Sequence, residues 1–330
     1  MTTLAMRPEP ETEAPAPTPE AAVAGRSLRQ ITWARLKRDR TGMVALAVII
    51  LIVLVAIFAP LILNALGLDT RQNLSLLTEA GTLPPPDLGI SAEHPLGVQP
   101  GTGVDLLALL LYGARLSLFV ALTSVLFVTI IGVTMGLVAG YSRGSGDTLI
   151  SRLGDLVMAF PLLLMLISLF QPMTQRLESM GVPEGTPARL TYMILVFGLF
   201  GWPYLTRLVR GQVLSLRERE FVEAAESLGA SRRRIIFREI LPNLVAPILI
   251  FVSISIPSYV VFEAALAFLG VGVTADTPSW GRLLADAPAY LFTRPLYLFI
   301  AGTPLFITVL AFNLFGDSLR DALDPRAGRQ

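Results

Sequence analysis

The 330-residue chain is 53% hydrophobic and 15% charged, with a net charge of +1 and a mean hydropathy of +0.64. A soluble domain carries about a quarter charged residues, so the composition excludes a water-soluble globule, and no basic surface is extensive enough to suggest nucleic acid. The chain has no cysteine, one histidine (His94) and one lysine (Lys37, with no glycine-rich loop before it). Thiol chemistry, disulfides, a multi-histidine site and a Walker A lysine are therefore excluded, and any ATP hydrolysis must come from another polypeptide.

Residues 1–25 are rich in Pro, Ala and Glu; with so little apolar surface to bury, they read as a disordered tail. They lack the basic start and apolar run of a signal peptide. Residues 26–68 combine a basic stretch, Arg26 to Arg40, with the uncharged run Thr41 to Leu68. The first reads as a short helix at the membrane surface carrying Trp33 and Leu36. The second exceeds the roughly 20 residues that cross hydrocarbon. Residues 69–114 form a Pro- and Gly-rich extracytoplasmic segment, in which His94 before Pro95 reads as a turn residue. Residues 115–318 hold five more uncharged runs: Leu116 to Ser142, Leu156 to Gln175, Leu190 to Thr206, Ile240 to Phe262 and Pro295 to Gly316. The run at Leu190 is the shortest, and its helix is expected to continue through Arg207 and Arg210. The expectation is an all-helical membrane protein with six spans. Residues 319–330 form a short tail. Arginines and the single lysine concentrate in 26–40, 143–152, 207–238 and 320–329, which places both termini in the cytoplasm.

Between the fourth and fifth spans lies LSLREREFVEAAESLGASRRRIIFREILPNLVAP, Leu214 to Pro247, within which 214–243 forms the loop proper. Phe221, Ala225 and Leu228 recur at helical spacing, predicting an amphipathic helix over Leu214 to Leu228. Gly229 suits a left-handed helix stop. Ser231 can cap a second helix that runs through Ile235, Ile236 and Phe237 until Pro242. The pattern fits a purpose-built helix-turn-helix; it equally fits an ordinary cytoplasmic loop, positive because inside loops usually are.

Within the spans, Gly132, Gly136 and Gly140 form a stripe that lets a helix approach closely, from this chain or another. Pro257 removes a backbone donor. Ser253, Ser255 and Ser258 around it either re-satisfy freed backbone groups or line a translocation path. Glu263 is a carboxylate in an otherwise uncharged run, expected to face a cavity or a partner such as an arginine. Asp155 and Arg152 are expected to pair locally. Pro278-Ser279-Trp280, with Leu283, Leu284 and Tyr290, reads as an interfacial helix anchored by aromatics.

Glu223-Ala224-Ala225, Gly229 and Leu241-Pro242 together resemble the EAA motif of ABC-importer permeases. The resemblance extends to His94-Pro95-Leu96-Gly97, Leu111 to Arg115, Gly198 to Arg219, Phe268 to Gly272, Thr277 to Gly281 and Ala311 to Arg326. Together these resemble the C-type permease subunit of the dipeptide, oligopeptide and nickel importer family. The chain departs from that pattern at Val104, where the family usually has arginine, and at Glu239, where it usually has histidine.

The resemblance implies a type I ABC importer permease fold with a cytoplasmic coupling helix. It also implies a bacterial inner-membrane location, a related second permease, an extracytoplasmic solute-binding protein, and two ATPase subunits that bind the ATP and Mg. Glu223, Ala224, Ala225, Leu228, Gly229, Leu241 and Pro242 would couple to an ATPase. Ser253, Ser255, Ser258 and Glu263 are candidates for path or gate. Ser279 and Trp280 would lie beneath the docked binding protein. The cargo implied is dipeptides or oligopeptides, with nickel or another small solute as the alternative. An ion-coupled secondary transporter would show paired broken helices in inverted repeats, and a membrane enzyme would need a nucleophile-base or metal cluster; neither is evident in the sequence.

Overall fold

A computed structural model describes residues 28–78, 82–142 and 144–323. The expected tail over 1–25, and the chain after Leu323, lie outside the described residues. Helix α1 (Leu28–Arg38) lies against the last helix, burying Leu36 and leaving Trp33 half exposed. Asp39 then caps α2 (Arg40–Leu66), accepting from the Thr41 N–H at 3.0 Å. A hydrogen bond from Ser318 near the chain's end holds the Asp39 carboxyl below the usual carboxylate range. Gly67, with φ +68°, ends α2 in the left-handed conformation that a side chain would strain.

Helix α3 (Leu106–Tyr141) starts ten residues before the uncharged run that announces it. The Asp105 side chain caps it, accepting from the Ala108 N–H at 2.9 Å. That cap extends the helix back through Tyr112 and Arg115. The third span is not the straight run Leu156 to Gln175. It is a pair, α4 (Ser145–Ala159) and α5 (Leu162–Ser168), bent by 75°. Phe160 precedes Pro161 and is extended, as a residue before proline tends to be, so the helix breaks there. Then α6 (Phe170–Ser179) turns back toward α7 (Thr186–Leu216), which continues through Arg207 and Arg210 as expected.

The short α8 (Glu220–Ser227) precedes α9 (Arg232–Arg234), a π-helical segment (Ile235–Ile240) and α10 (Leu241–Phe268). The last three join without a stop. Pro242 does not end the second arm: it falls in the first turn of α10, and the Leu241 N–H reaches back five residues to the Ile236 carbonyl. The wider π turn spares Pro242 the clash with a carbonyl four residues back. Helices α11 (Trp280–Asp286) and α12 (Pro295–Leu323) complete the chain. Among the described residues five helices are long and apolar enough to cross a bilayer, and the bent pair makes six.

The centre of the bundle is the α3–α7 pair. A Cβ on Gly132, Gly136 or Gly140 would come within 2.8, 2.6 or 2.6 Å of Leu205, Val209 and Val213 respectively. The glycine stripe therefore serves this chain's own α7, and Thr206 Oγ1 donates to the Gly132 carbonyl at 3.0 Å. Segments assigned to one side of the membrane meet one another. At the α11 end, Arg189 bonds the Gly272 carbonyl and Arg294 the Pro84 carbonyl. At the α8 end, Asp155 pairs with Arg207 at 2.6 Å and Asp147 with Arg210 at 2.7 Å. Asp155 therefore bonds across helices, not to Arg152 on its own.

Candidate functional site: the α8 foot, a serine-aromatic groove and the α11 lock

The stretch predicted as one helix from Leu214 to Leu228 folds as two. The end of α7 stops at Leu216, and an extended Arg219 turns the chain into α8. Val222 is fully buried and Ala225 partly so, in an apolar cluster with Val213, Ile235, Ile240 and Leu244. That cluster fixes which way α8 faces. Phe221 and Leu228, which recur with Ala225 at helical spacing, are 41% and 88% exposed. Glu223 and Ala224 also face outward. Gly229 follows with φ +76° and open space around it, and Ser231 caps α9 through the Arg234 N–H. Leu241 and Pro242 stand beyond the π segment, at the root of α10 and away from the tip. Of the seven residues expected at this contact, Glu223, Ala224, Leu228 and Gly229 share the exposed tip; Ala225 and Leu241 pack inward.

Higher in the bundle, Ser255 and Ser258 line a groove of about 460 Å³ between α4, α5, α7 and α10, walled by Phe160, Phe200, Tyr204, Phe251 and Phe262. Its lining carries hydroxyls and aromatic faces and no charged side chain. Ser253 is not part of it: it is buried against Gly316 of α12. The three hydroxyls donate to the carbonyls of Ile250, Phe251 and Ile254 at 2.9, 2.7 and 3.4 Å. They thus bond the backbone without reaching the Ser253 carbonyl that Pro257 leaves without its usual donor.

Glu263 is fully buried and meets no arginine among the described residues. Ser117 Oγ on α3 donates to its Oε2 at 2.8 Å and accepts from the Trp280 N–H at 3.2 Å. Oε1 faces Ser279 and the Gly281 amide without reaching hydrogen-bond geometry with either. Gly281 permits this approach, since a Cβ there would stand 2.6 Å from Ala264 Cα. The Trp280 indole donates to the Leu110 carbonyl at 3.0 Å. Ser279 and Trp280, expected beneath a docked partner, are 0% and 2% exposed. They clamp α11 to α3 and α10 and cannot themselves form an outer contact surface. Beside them burial pushes the Asp286 carboxyl above its ordinary range, with Arg282 opposing. His94 is more than a turn residue: its Nδ1 lies 2.9 Å from Asp105 Oδ2, tying the segment before α3 to its cap. No spacing rule links residues eleven apart in a loop, so that pair is not legible from sequence.

A membrane bundle with a bent third span and a short foot between its fourth and fifth spans defines the type I ABC-importer permease fold. The same fold occurs in an inward-facing structure of the MetNI methionine ABC transporter, with a TM-score of 0.53 and 18% identity over 66% of this chain and 96% of that one. Residues 132–329 match the family model described as binding-protein-dependent transport system inner membrane component, and residues 27–81 match the N-terminal TM domain of oligopeptide transport permease C. The chain belongs to this binding-protein-dependent permease family, and it is a transport subunit rather than an enzyme.

Similar proteins include the dipeptide transport system permease protein DppC of Alkalihalophilus pseudofirmus, 36% identical over 88% of each chain. The oligopeptide transport system permease protein OppC of Bacillus subtilis is 34% identical over 91% of this chain and 90% of its own. The glutathione transport system permease protein GsiD of Pectobacterium atrosepticum is 37% identical over 72% and 74% respectively.

Proposed function

We propose that the chain forms half of a membrane pathway for dipeptides or short oligopeptides, with a related permease as the other half. The α8 end and both termini lie in the cytoplasm of a bacterial inner membrane, as the distribution of arginine favours. An extracytoplasmic binding protein delivers the peptide, and two partner ATPase subunits bind the ATP and Mg. The observation that carries this reading is the two-faced α8. Val222 anchors it to the spans while Glu223, Ala224 and Leu228 are left outward, a helix fixed on one side and open on the other. A partner that pushes on it moves α7 and α10 through the apolar cluster behind it. The uncharged Ser255–Ser258 groove is the wall along which cargo passes; hydroxyls and aromatic faces suit peptides of varied side chains.

The test is uptake and ATP hydrolysis measured together in proteoliposomes. Glu223→Lys reverses the charge on the outer face, and Gly229→Val puts a β-branched residue at a positive φ. Both variants should assemble in the membrane, hydrolyse ATP and lose at least about tenfold in uptake, a shift of roughly 1.4 kcal/mol in coupling. Normal uptake by both would end the proposal.

A further inference from the structure

The continuous helix from Arg232 to Phe268 has 37 residues, a length of about 55 Å at 1.5 Å per residue. Hydrocarbon occupies about 30 Å. Counting about 20 residues back from Phe262, just before Glu263 locks to α11, puts the hydrocarbon boundary near Pro242. Phe237 and Arg238 then lie about one turn outside it, with Arg233 and Arg234 one turn further. With Ser231, these four line a cavity of about 450 Å³.

The three guanidiniums make no ion pair or side-chain hydrogen bond among the described residues. At the same end Arg207 and Arg210 are held by aspartates, and Arg217 Nη1 donates to the Gly140 carbonyl. Phe237 stands among the unpaired arginines, 57% exposed. From Phe237 a row at spacing four continues through Leu241, Val245 and Leu249, with Val245 47% and Leu249 45% exposed. It leads from the arginines into the membrane-embedded part of the helix.

Guanidinium forks match phosphate oxygens, and an apolar row entering the membrane matches a chain of methylenes. A free anion would leave Phe237 and the row uncovered. A cytoplasmic protein would have to pass the membrane boundary to reach Val245 and Leu249. We infer that Arg233, Arg234 and Arg238 bind the phosphate headgroup of an acidic phospholipid, whose acyl chain lies along Phe237, Val245 and Leu249. The inference requires only that this helix crosses a bilayer, so it stands independently of the cargo and of the ATPase contact.

The experiment uses the full-length permease, purified in its transporter complex and delipidated. Binding of phosphatidylglycerol and phosphatidylcholine is measured by native mass spectrometry. Wild type should retain phosphatidylglycerol preferentially. R233Q/R234Q/R238Q should lose roughly fivefold in affinity per arginine, while its phosphatidylcholine binding is unchanged. Phe237→Gln should weaken phosphatidylglycerol several-fold with all charges kept, and Arg238→Lys should lose less than Arg238→Gln. Inorganic phosphate should displace the lipid no better than chloride at equal ionic strength. The inference fails if the triple variant retains phosphatidylglycerol as wild type does. It fails also if phosphate alone displaces the lipid, which would mark a free-anion site. Loss of the ATPase subunits with lipid binding intact would reassign the arginines to a protein contact.

Discussion

The two ends of the bundle are built on opposite terms. At the α11 end polar groups find partners within the chain: Glu263 on Ser117, the Trp280 indole on the Leu110 carbonyl, Arg294 on the Pro84 carbonyl and His94 on Asp105. At the α8 end several arginines, Arg233, Arg234 and Arg238 among them, make no ion pair among the described residues, and Leu228 is 88% exposed. Buried polar groups must be satisfied inside the molecule, and exposed ones need not be. One end is therefore finished by folding, and the other is left for what it meets. Substitutions at the α11 end should cost stability, and substitutions at the α8 tip should cost coupling.

Trp280→Ala tests the first half most severely. It empties a site that is 2% exposed and removes the donor to Leu110. A loss of about 3–5 kcal/mol is expected, read as a lowered melting temperature in detergent and a reduced membrane yield. Unchanged melting would mean that α11 is not clamped. Glu263 follows. Glu263→Ala should cost about 2–3 kcal/mol, from the cavity and from the partner of Ser117 that it removes. Glu263→Gln keeps an acceptor for Ser117 and should cost about 1 kcal/mol with uptake retained. A glutamine variant that melts normally but transports nothing would make this carboxylate a working gate, and the comparison of the two ends would break.

Where the sequence was legible, the signal was local. Uncharged runs locate α2, α7 and α12 because length and composition alone decide whether a helix crosses hydrocarbon. Gly229 and Ser231 mark the turn of the foot because a left-handed stop and a side-chain cap act within a few residues. The misses arose where the deciding partner is far along the chain. Asp155 bonds Arg207, 52 residues on, and Glu263 bonds Ser117, 146 residues back. The α3 start and the continuation past Pro242 depend on a cap and a π turn, neither of which alters hydrophobic periodicity. On α8 the period is real, but it does not say which way the helix faces. Phe221 and Leu228 recur as a buried stripe would, yet Val222 between them fills the cluster formed by Ile235 and Ile240. A helix of eight residues has too few apolar positions for its own pattern to choose a face, so α9 and the π segment choose it.

Leu228→Ala has the smallest expected effect on stability and so sharpens the comparison furthest. Apart from its backbone bond to Ala224, which alanine preserves, the residue has little to lose. At 88% exposure its side chain buries almost nothing in this chain, and exposed substitutions of this kind stay within about 0.5 kcal/mol. Melting of the purified permease should therefore be unchanged. The exposed leucine at the last turn before Gly229 leaves apolar surface open to a partner. A partner that buries it would gain about 1.5–3 kcal/mol from that side chain. Truncation should then weaken ATPase association by roughly tenfold or more, measured as subunit retention during purification or as the concentration of ATPase needed to restore uptake. If Leu228→Ala instead melts early while binding its partner normally, the α8 tip is part of the fold, and the contrast between the two ends is one of degree.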